Sequence, residues 1–216
     1  MTVQTMITQL VFGMITSIEI FLLTLIFSLP LGLLVAFARR SRNALVSGAA
    51  RVYISIMRGT PLMLQLMVVY FGPYYLFGMR IASSYRFIAV IIGFSINYAA
   101  YFAEIYRAGI EAVPIGQSEA AKILGYTRVQ TFVRIVFPQV VKRILPPVTN
   151  EIITLVKDTS LAFVIAVAEM FTQAKAIAAA QTTMVPFIAA GIFYYVFNAV
   201  VAFLMEMAEK KLSYYE

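Results

Sequence analysis

The stretch IFLLTLIFSLPLGLLVAFA, residues 20–38, holds no charged side chain and runs directly into RRSR, residues 39–42. As a helix, its 19 residues rise about 28 Å, close to the ~30 Å thickness of a bilayer's hydrocarbon core. A run this long without charge, stopped by three arginines, is a membrane span with its basic end at a headgroup surface. Its start lies near Val11. Moving outward, residues 59–79, 87–103 and 176–205 are also free of charge. Spans are expected at about 11–38, 53–78, 86–107 and 185–208. The stretch 145–169 is apolar in total but carries Glu151, Lys157 and Asp158. Charges at membrane depth face a bundle interior or an aqueous cavity, so 145–169 is expected as another span, lining a path. The fold class is thus all-α, a membrane protein of about five transmembrane helices in a single domain, 1–216.

Composition agrees. The chain is 62% hydrophobic and 12% charged, with a mean hydropathy of +0.87. A soluble domain is about half apolar and a quarter charged. There is no cysteine and no histidine, which removes thiolate chemistry, disulfides and the commonest proton shuttle and metal ligand. No metal site is expected. The excess of 17 Lys+Arg over 10 Asp+Glu points to topology rather than to nucleic acid. Arg39, Arg40, Arg42 and Arg51 lie between spans one and two; Arg107, Lys122, Arg128, Arg134, Lys142 and Arg143 lie between three and four; Lys210 and Lys211 follow the last. Only Arg80, Arg86 and Lys175 fall on the other side. Twelve against three puts the first group in the cytoplasm, the amino terminus outside and the carboxyl terminus inside. No Lys or Arg precedes Arg39, so a cleavable signal peptide is not expected.

The connection at about 108–144 is long and patterned. Pro114-Ile115-Gly116-Gln117-Ser118 reads as a turn into a helix with Ser118 as its N-cap, and Gly125 as its stop. A second amphipathic stretch covers Val129 to Val141. The spacing Glu119-Ala120-Ala121, three residues, Gly125, nine residues, Ile135, one residue, Phe137-Pro138 resembles the EAA motif of ATP-binding-cassette importer permeases. That family usually has leucine before the proline, where this chain has Phe137. Arg58-Gly59-Thr60-Pro61-Leu62, Ala103 to Ile110 and Lys157-Asp158-Thr159-Ser160-Leu161 resemble signatures of its polar amino acid branch.

The resemblance implies the type I importer permease fold, with a cytoplasmic coupling helix between spans three and four. Gly116, Gln117, Glu119, Ala120, Ala121 and Gly125 would dock it on a separate ATPase, which binds the ATP and Mg; this chain needs no cofactor and is no enzyme. It also implies a second permease chain, identical or paralogous, an external solute-binding protein, and a bacterial inner membrane location. Without the motif, the same basic helix would be expected to lie on anionic lipid.

Candidate substrate contacts come from polar faces inside the spans. Asn97, Tyr101 and Glu104 share one face of the third span; Glu151, Thr154 and Asp158 share one face of the fourth. Glu104 also stands one turn from Arg107, its alternative partner. Gly59-Thr60-Pro61 interrupts the second span, because proline supplies no N–H and glycine accepts unusual torsions. Freed backbone groups there can face a zwitterion's carboxylate. Gln65 is either a contact or an interhelical hydrogen-bonding group, and Ser160 belongs to the same candidate set. Ala189, Ala190 and Gly191 read as a close-packing surface, and Tyr194, Tyr195 and Phe197 as packing or interfacial anchors. Asp158 would hold the α-ammonium, which leaves Glu151 for a basic side chain such as that of arginine, lysine or ornithine. Glutamine or another neutral polar amino acid is the second choice. A different class, a self-sufficient ion-coupled secondary transporter, would use Glu151 and Asp158 as coupling groups; the absence of internal repeats argues against it.

Overall fold

The computed structural model describes residues 2–212, and all regular structure in them is helical. The helices are α1 (Val3–Arg39), α2 (Ala44–Gly59), α3 (Leu62–Phe77), α4 (Tyr85–Glu111), α5 (Ile115–Ile123), α6 (Arg128–Thr131), α7 (Phe137–Asp158), α8 (Met170–Gln181) and α9 (Val185–Leu212). A π-helical turn, Phe132–Val136, joins α6 to α7, and a 3-10 helix, Thr159–Ile165, follows α7.

α4 is the axis of the bundle. Its buried residues, among them Phe94, Tyr98 and Phe102, meet Leu155 and Val156 of α7 and Leu66 of α3 in one core. α1 packs along it most extensively, because a row of small residues lets the backbones approach. A Cβ added at Gly32 would stand 2.8 Å from Phe102 Cβ, so that glycine fixes the approach. Phe37 meets the Phe132 ring, which packs with Ile110, so the basic end of α1 lies at the Arg107 end of α4.

α4 also serves as a ruler. Arg86 and Arg107 are 21 residues apart, about 31 Å along the axis, or one hydrocarbon thickness. Tyr98 lies about 18 Å from the first and about 14 Å from the second, near mid-depth.

Three helices, α1, α4 and α9, are each long and apolar enough to cross a membrane. α2 and α3 make a fourth crossing only when counted as one span bent by 110°. The second expected span, 53–78, is therefore two helices. The expected fourth, 145–169, differs as well. Its helix begins earlier, at Phe137, runs through Pro146 and Pro147, and ends at Asp158. The connection expected at 108–144 shrinks accordingly, since α4 continues to Glu111. Within this chain a Cβ at Gly191 would meet nothing within 4 Å, whereas Ala190 is buried.

Candidate functional site

The break between α2 and α3 is held by side chains. Past Gly59 the helix cannot continue, because Pro61 has no N–H to give and Thr60 is extended at φ −123°, ψ 147°. The Met57 carbonyl is left without its helical partner. Asn97 donates to it across 3.1 Å and Gln65 across 2.9 Å, while Asn97 also donates to the Gln65 side-chain carbonyl at 2.9 Å. Gln65 reaches the Thr60 hydroxyl as well, at 2.8 Å. At membrane depth such a carbonyl needs a protein or cavity-water partner. Gln65 and Asn97 supply one, and both are buried. Gly59 and Thr60 remain exposed beside them.

Asp158 is the last residue of α7 and accepts a hydrogen bond from the Tyr98 hydroxyl at 2.7 Å. It therefore stands at the mid-depth of α4. The chain continues as the 3-10 helix, which packs against α3. The break at Gly59–Pro61 and the end of α7 at Asp158 thus lie at one level along α4, the first beside Asn97 and the second beside Tyr98. Ser160 lies on the exposed side and donates to the Lys157 carbonyl at 2.8 Å. Broken helices placed at the midplane are how membrane carriers present backbone groups and charges to a polar solute.

Toward the Arg107 end, a cleft of about 360 Å³ opens between α2, α4 and α7. Arg58, Tyr101, Glu104, Arg143 and Glu151 are among its lining residues. The Arg58 guanidinium sits over the Tyr101 ring, 5.3 Å from its centroid. Glu104 lines the cleft but is committed to Arg107, which also holds Glu111. Glu151 makes no ion pair among the described residues, yet Arg58 is the cation within electrostatic range of it. The expected face Asn97, Tyr101, Glu104 is thus split between two tasks: Asn97 braces the break, and the other two line the cleft. Thr154 is exposed and bonded to its own helix.

α5 begins one turn earlier than expected, with Pro114 rather than Ser118 at its N-cap. Gly116 and Glu119 are exposed, Gln117 accepts from Gln139 of α7, and Ala121 is buried while Ala120 faces out. Gly125 stops the helix in the left-handed region, φ +82°. Its N–H donates to the Lys122 carbonyl and that of Tyr126 to the Ala121 carbonyl, at 3.1 and 3.0 Å. A capping box of Thr127 and Gln130, missed from sequence, then starts α6. Ile115 and Ile123 of α5 and its C-cap Leu124 are all exposed apolar residues.

Glu169 was also missed. It is fully buried and caps α8, accepting from the N–H groups of Phe171 and Thr172 at 2.6 and 2.8 Å. The Tyr194 hydroxyl donates to it at 3.3 Å and lies 3.4 Å from Thr159 Oγ1, tying α9 to the segment after Asp158. A glutamate three residues before a threonine in an alanine-rich run was the available signal.

Residues 28–214 match the family described as binding-protein-dependent transport system inner membrane component. The chain is 37% identical over 202 residues to an arginine transport system permease protein of Bacillus subtilis, covering 93% of this chain and 91% of that one. It is 36% identical over 205 residues to an L-cystine transport system permease protein of the same organism, covering 94% and 86%. A solved structure titled as an amino acid ABC transporter with histidines superposes with a TM-score of 0.86 at 33% identity, covering 98% of this chain and all of that one. On these matches and this architecture, the chain belongs to the inner membrane components of binding-protein-dependent transport systems.

Proposed function

We propose that the chain is the permease subunit of an ATP-binding-cassette importer for polar amino acids, with the solute held at the level of Asp158. The observation that carries this is that the helix break at Gly59–Pro61 and the carboxylate ending α7, Asp158, lie at one level along α4. A zwitterion there needs a partner for each charge. Asp158 takes the ammonium, and backbone at Gly59–Thr60 takes the carboxylate. Five crossings are counted as α1, the bent pair α2–α3, α4, the interrupted α7 segment and α9. The Arg107 end of the bundle is cytoplasmic, which places α5 against a separate ATPase that binds the ATP and Mg. A second permease chain and an external solute-binding protein complete the assembly.

Single cysteines at Ser83 and Ser118 test the orientation, since the chain has none of its own. An impermeant thiol reagent applied to intact cells should label Ser83→Cys only. Labelling of both would overturn the five-crossing count.

Within polar amino acids, a basic one is favoured: Glu151 is half-buried and has no ion-pair partner among the described residues. The arginine relative fits this choice, while the L-cystine relative of nearly equal identity does not discriminate. Glutamine is the second reading, because Arg58 and Arg143 already bring positive charge to the cleft. In a reconstituted complex, Glu151→Gln should cut ATPase stimulation by arginine about tenfold and leave stimulation by glutamine nearly unchanged. Equal stimulation by arginine before and after the substitution rules out the basic reading.

A further inference from the structure

We propose that Glu169 is a positioning residue for solute capture: through the Tyr194 hydroxyl it pins Thr159, and so holds the neighbouring Asp158 carboxylate in place for the incoming solute. The inference rests on the proposed role of Asp158 in holding the ammonium, and adds a residue outside that site on which the coupling of ATP use to import depends.

The length of the side chain is the first indication. An N-cap acceptor is ordinarily the shorter Asp, Asn, Ser or Thr, yet α8 starts on a glutamate. Both carboxylate oxygens serve the helix. Oε2 accepts from the Phe171 N–H at 2.6 Å, and Oε1 from the Thr172 N–H and hydroxyl, each at 2.8 Å. An aspartate would suffice for the cap. The extra methylene brings Oε2 within 3.3 Å of the Tyr194 hydroxyl. That hydroxyl also lies 3.5 Å from Ser17 Oγ and 3.4 Å from Thr159 Oγ1. Ser17 gives its proton to the Gly13 carbonyl at 3.2 Å, and Thr159 gives its own to the Val156 carbonyl at 2.8 Å. Tyr194 therefore donates, and the carboxylate is the strongest of its three acceptors. Glu169 makes no ion pair among the described residues, so these donors are what hold its charge. One phenol thus joins α1, α8, α9 and the 3-10 helix.

One side of this junction is fixed. A Cβ added at Gly13 would stand 2.8 Å from Met170 Cα, so α1 and the start of α8 are in backbone contact. The Met170 N–H also donates to Ser17 Oγ, at 3.3 Å, and Ser17 and Glu169 are both fully buried. The segment that leaves Asp158 and returns at Glu169 is held differently. It turns at Ala166 in the left-handed region, φ +56°, a conformation that a residue with a Cβ keeps only when its surroundings impose it. Tyr194 closes this segment into a loop by tying its last residue, Glu169, back to its first, Thr159. With Thr159 released, the Tyr98 hydroxyl is left to orient Asp158. Binding protein and ATP then still drive the cycle, but the solute meets a carboxylate out of place, and ATP is hydrolysed without import.

The test uses the whole complex in proteoliposomes, with solute-loaded binding protein outside and ATP inside. Two initial rates are measured on each protein, uptake of labelled arginine and ATP hydrolysis, and their ratio gives the ATP hydrolysed per amino acid imported. A substitution that only destabilises the fold lowers both rates together and leaves the ratio unchanged. Tyr194→Phe, which removes the hydroxyl and keeps the ring, should raise the ratio roughly fivefold, less than the loss of a full charge-assisted hydrogen bond because the contact is long. Glu169→Asp keeps the charge and the cap while drawing the carboxylate back from Tyr194, and should raise the ratio to a similar degree. The double variant should match the single ones, because all three remove one contact. Labelled glutamine replaces arginine throughout if glutamine is the better substrate. An unchanged ratio in either single variant, or a double variant whose effect is the product of the two, overturns the positioning role while leaving the importer reading intact. Wild-type uptake by Asp158→Asn, or no import of either amino acid by the wild type, removes the reading of the site and this inference with it.

Discussion

Asp158→Asn should lower amino acid uptake by the reconstituted complex at least about a hundredfold, the scale expected when a buried charge loses its counter-charge. The substitution is nearly isosteric. Its side-chain oxygen still accepts the Tyr98 hydroxyl, which now approaches Asp158 at 2.7 Å, so insertion and ATPase copurification should be retained. What is lost is the negative charge at the point where α7 gives way to the 3-10 helix. Tyr98→Phe is the companion variant. It leaves the charge but frees its carboxylate, and a loss smaller than that of Asp158→Asn is expected. Uptake by Asp158→Asn within about twofold of wild type would show that the ammonium is held elsewhere.

Gly125→Arg should separate the permease from its ATPase, reducing copurification about tenfold or more while the protein still inserts. Gly125 holds φ +82°, where an L residue is strained by roughly 1–2 kcal/mol. A Cβ there meets nothing within 4 Å, so the strain falls on the turn rather than on a neighbour. That turn orients the exposed apolar end of α5 at Ile123 and Leu124. Gly125→Asn, a residue that tolerates the left-handed region, should retain most of the copurification. ATPase recovered with Gly125→Arg at the wild-type yield would remove α5 as the docking element.

The charge-free runs of α1, α4 and α9 were legible because a bilayer demands about twenty apolar residues in sequence, and nothing subtler is needed to see them. Pro61 announced the break in the second crossing for an equally local reason. What closes that break was not legible: Gln65 and Asn97 are 32 residues apart and converge on Met57 only through packing. Both limits of α7 were misplaced: it starts at Phe137, well before residue 145, and gives way to a 3-10 helix after Asp158. The helix runs on through both prolines, against a buried face that includes Val140, Val148 and Ile152. In the site, Asp158 stood out as a carboxylate in an apolar run. Arg58 did not, since its place over Tyr101 depends on the 110° bend. Glu104 was correctly suspected of pairing with Arg107, a matter of spacing along one helix.

From Gln139 to Asp158 α7 is a single rod of about 28 Å, with α6 and the π-helical turn prolonging it at its base. Gln139 touches α5 through Gln117, and the opposite tip carries Asp158. The geometry is that of a lever. A tilt of about 5° at the base sweeps the tip through roughly 2.5 Å, given the rise of 1.5 Å per residue. That stroke is nearly the length of the Tyr98 contact itself, so it suffices to part the hydroxyl from the carboxylate. Such a tilt carries the buried face of Val148, Ile152 and Leu155 with it, so on the proposed docking of α5 the core itself links that helix to the charge at Asp158.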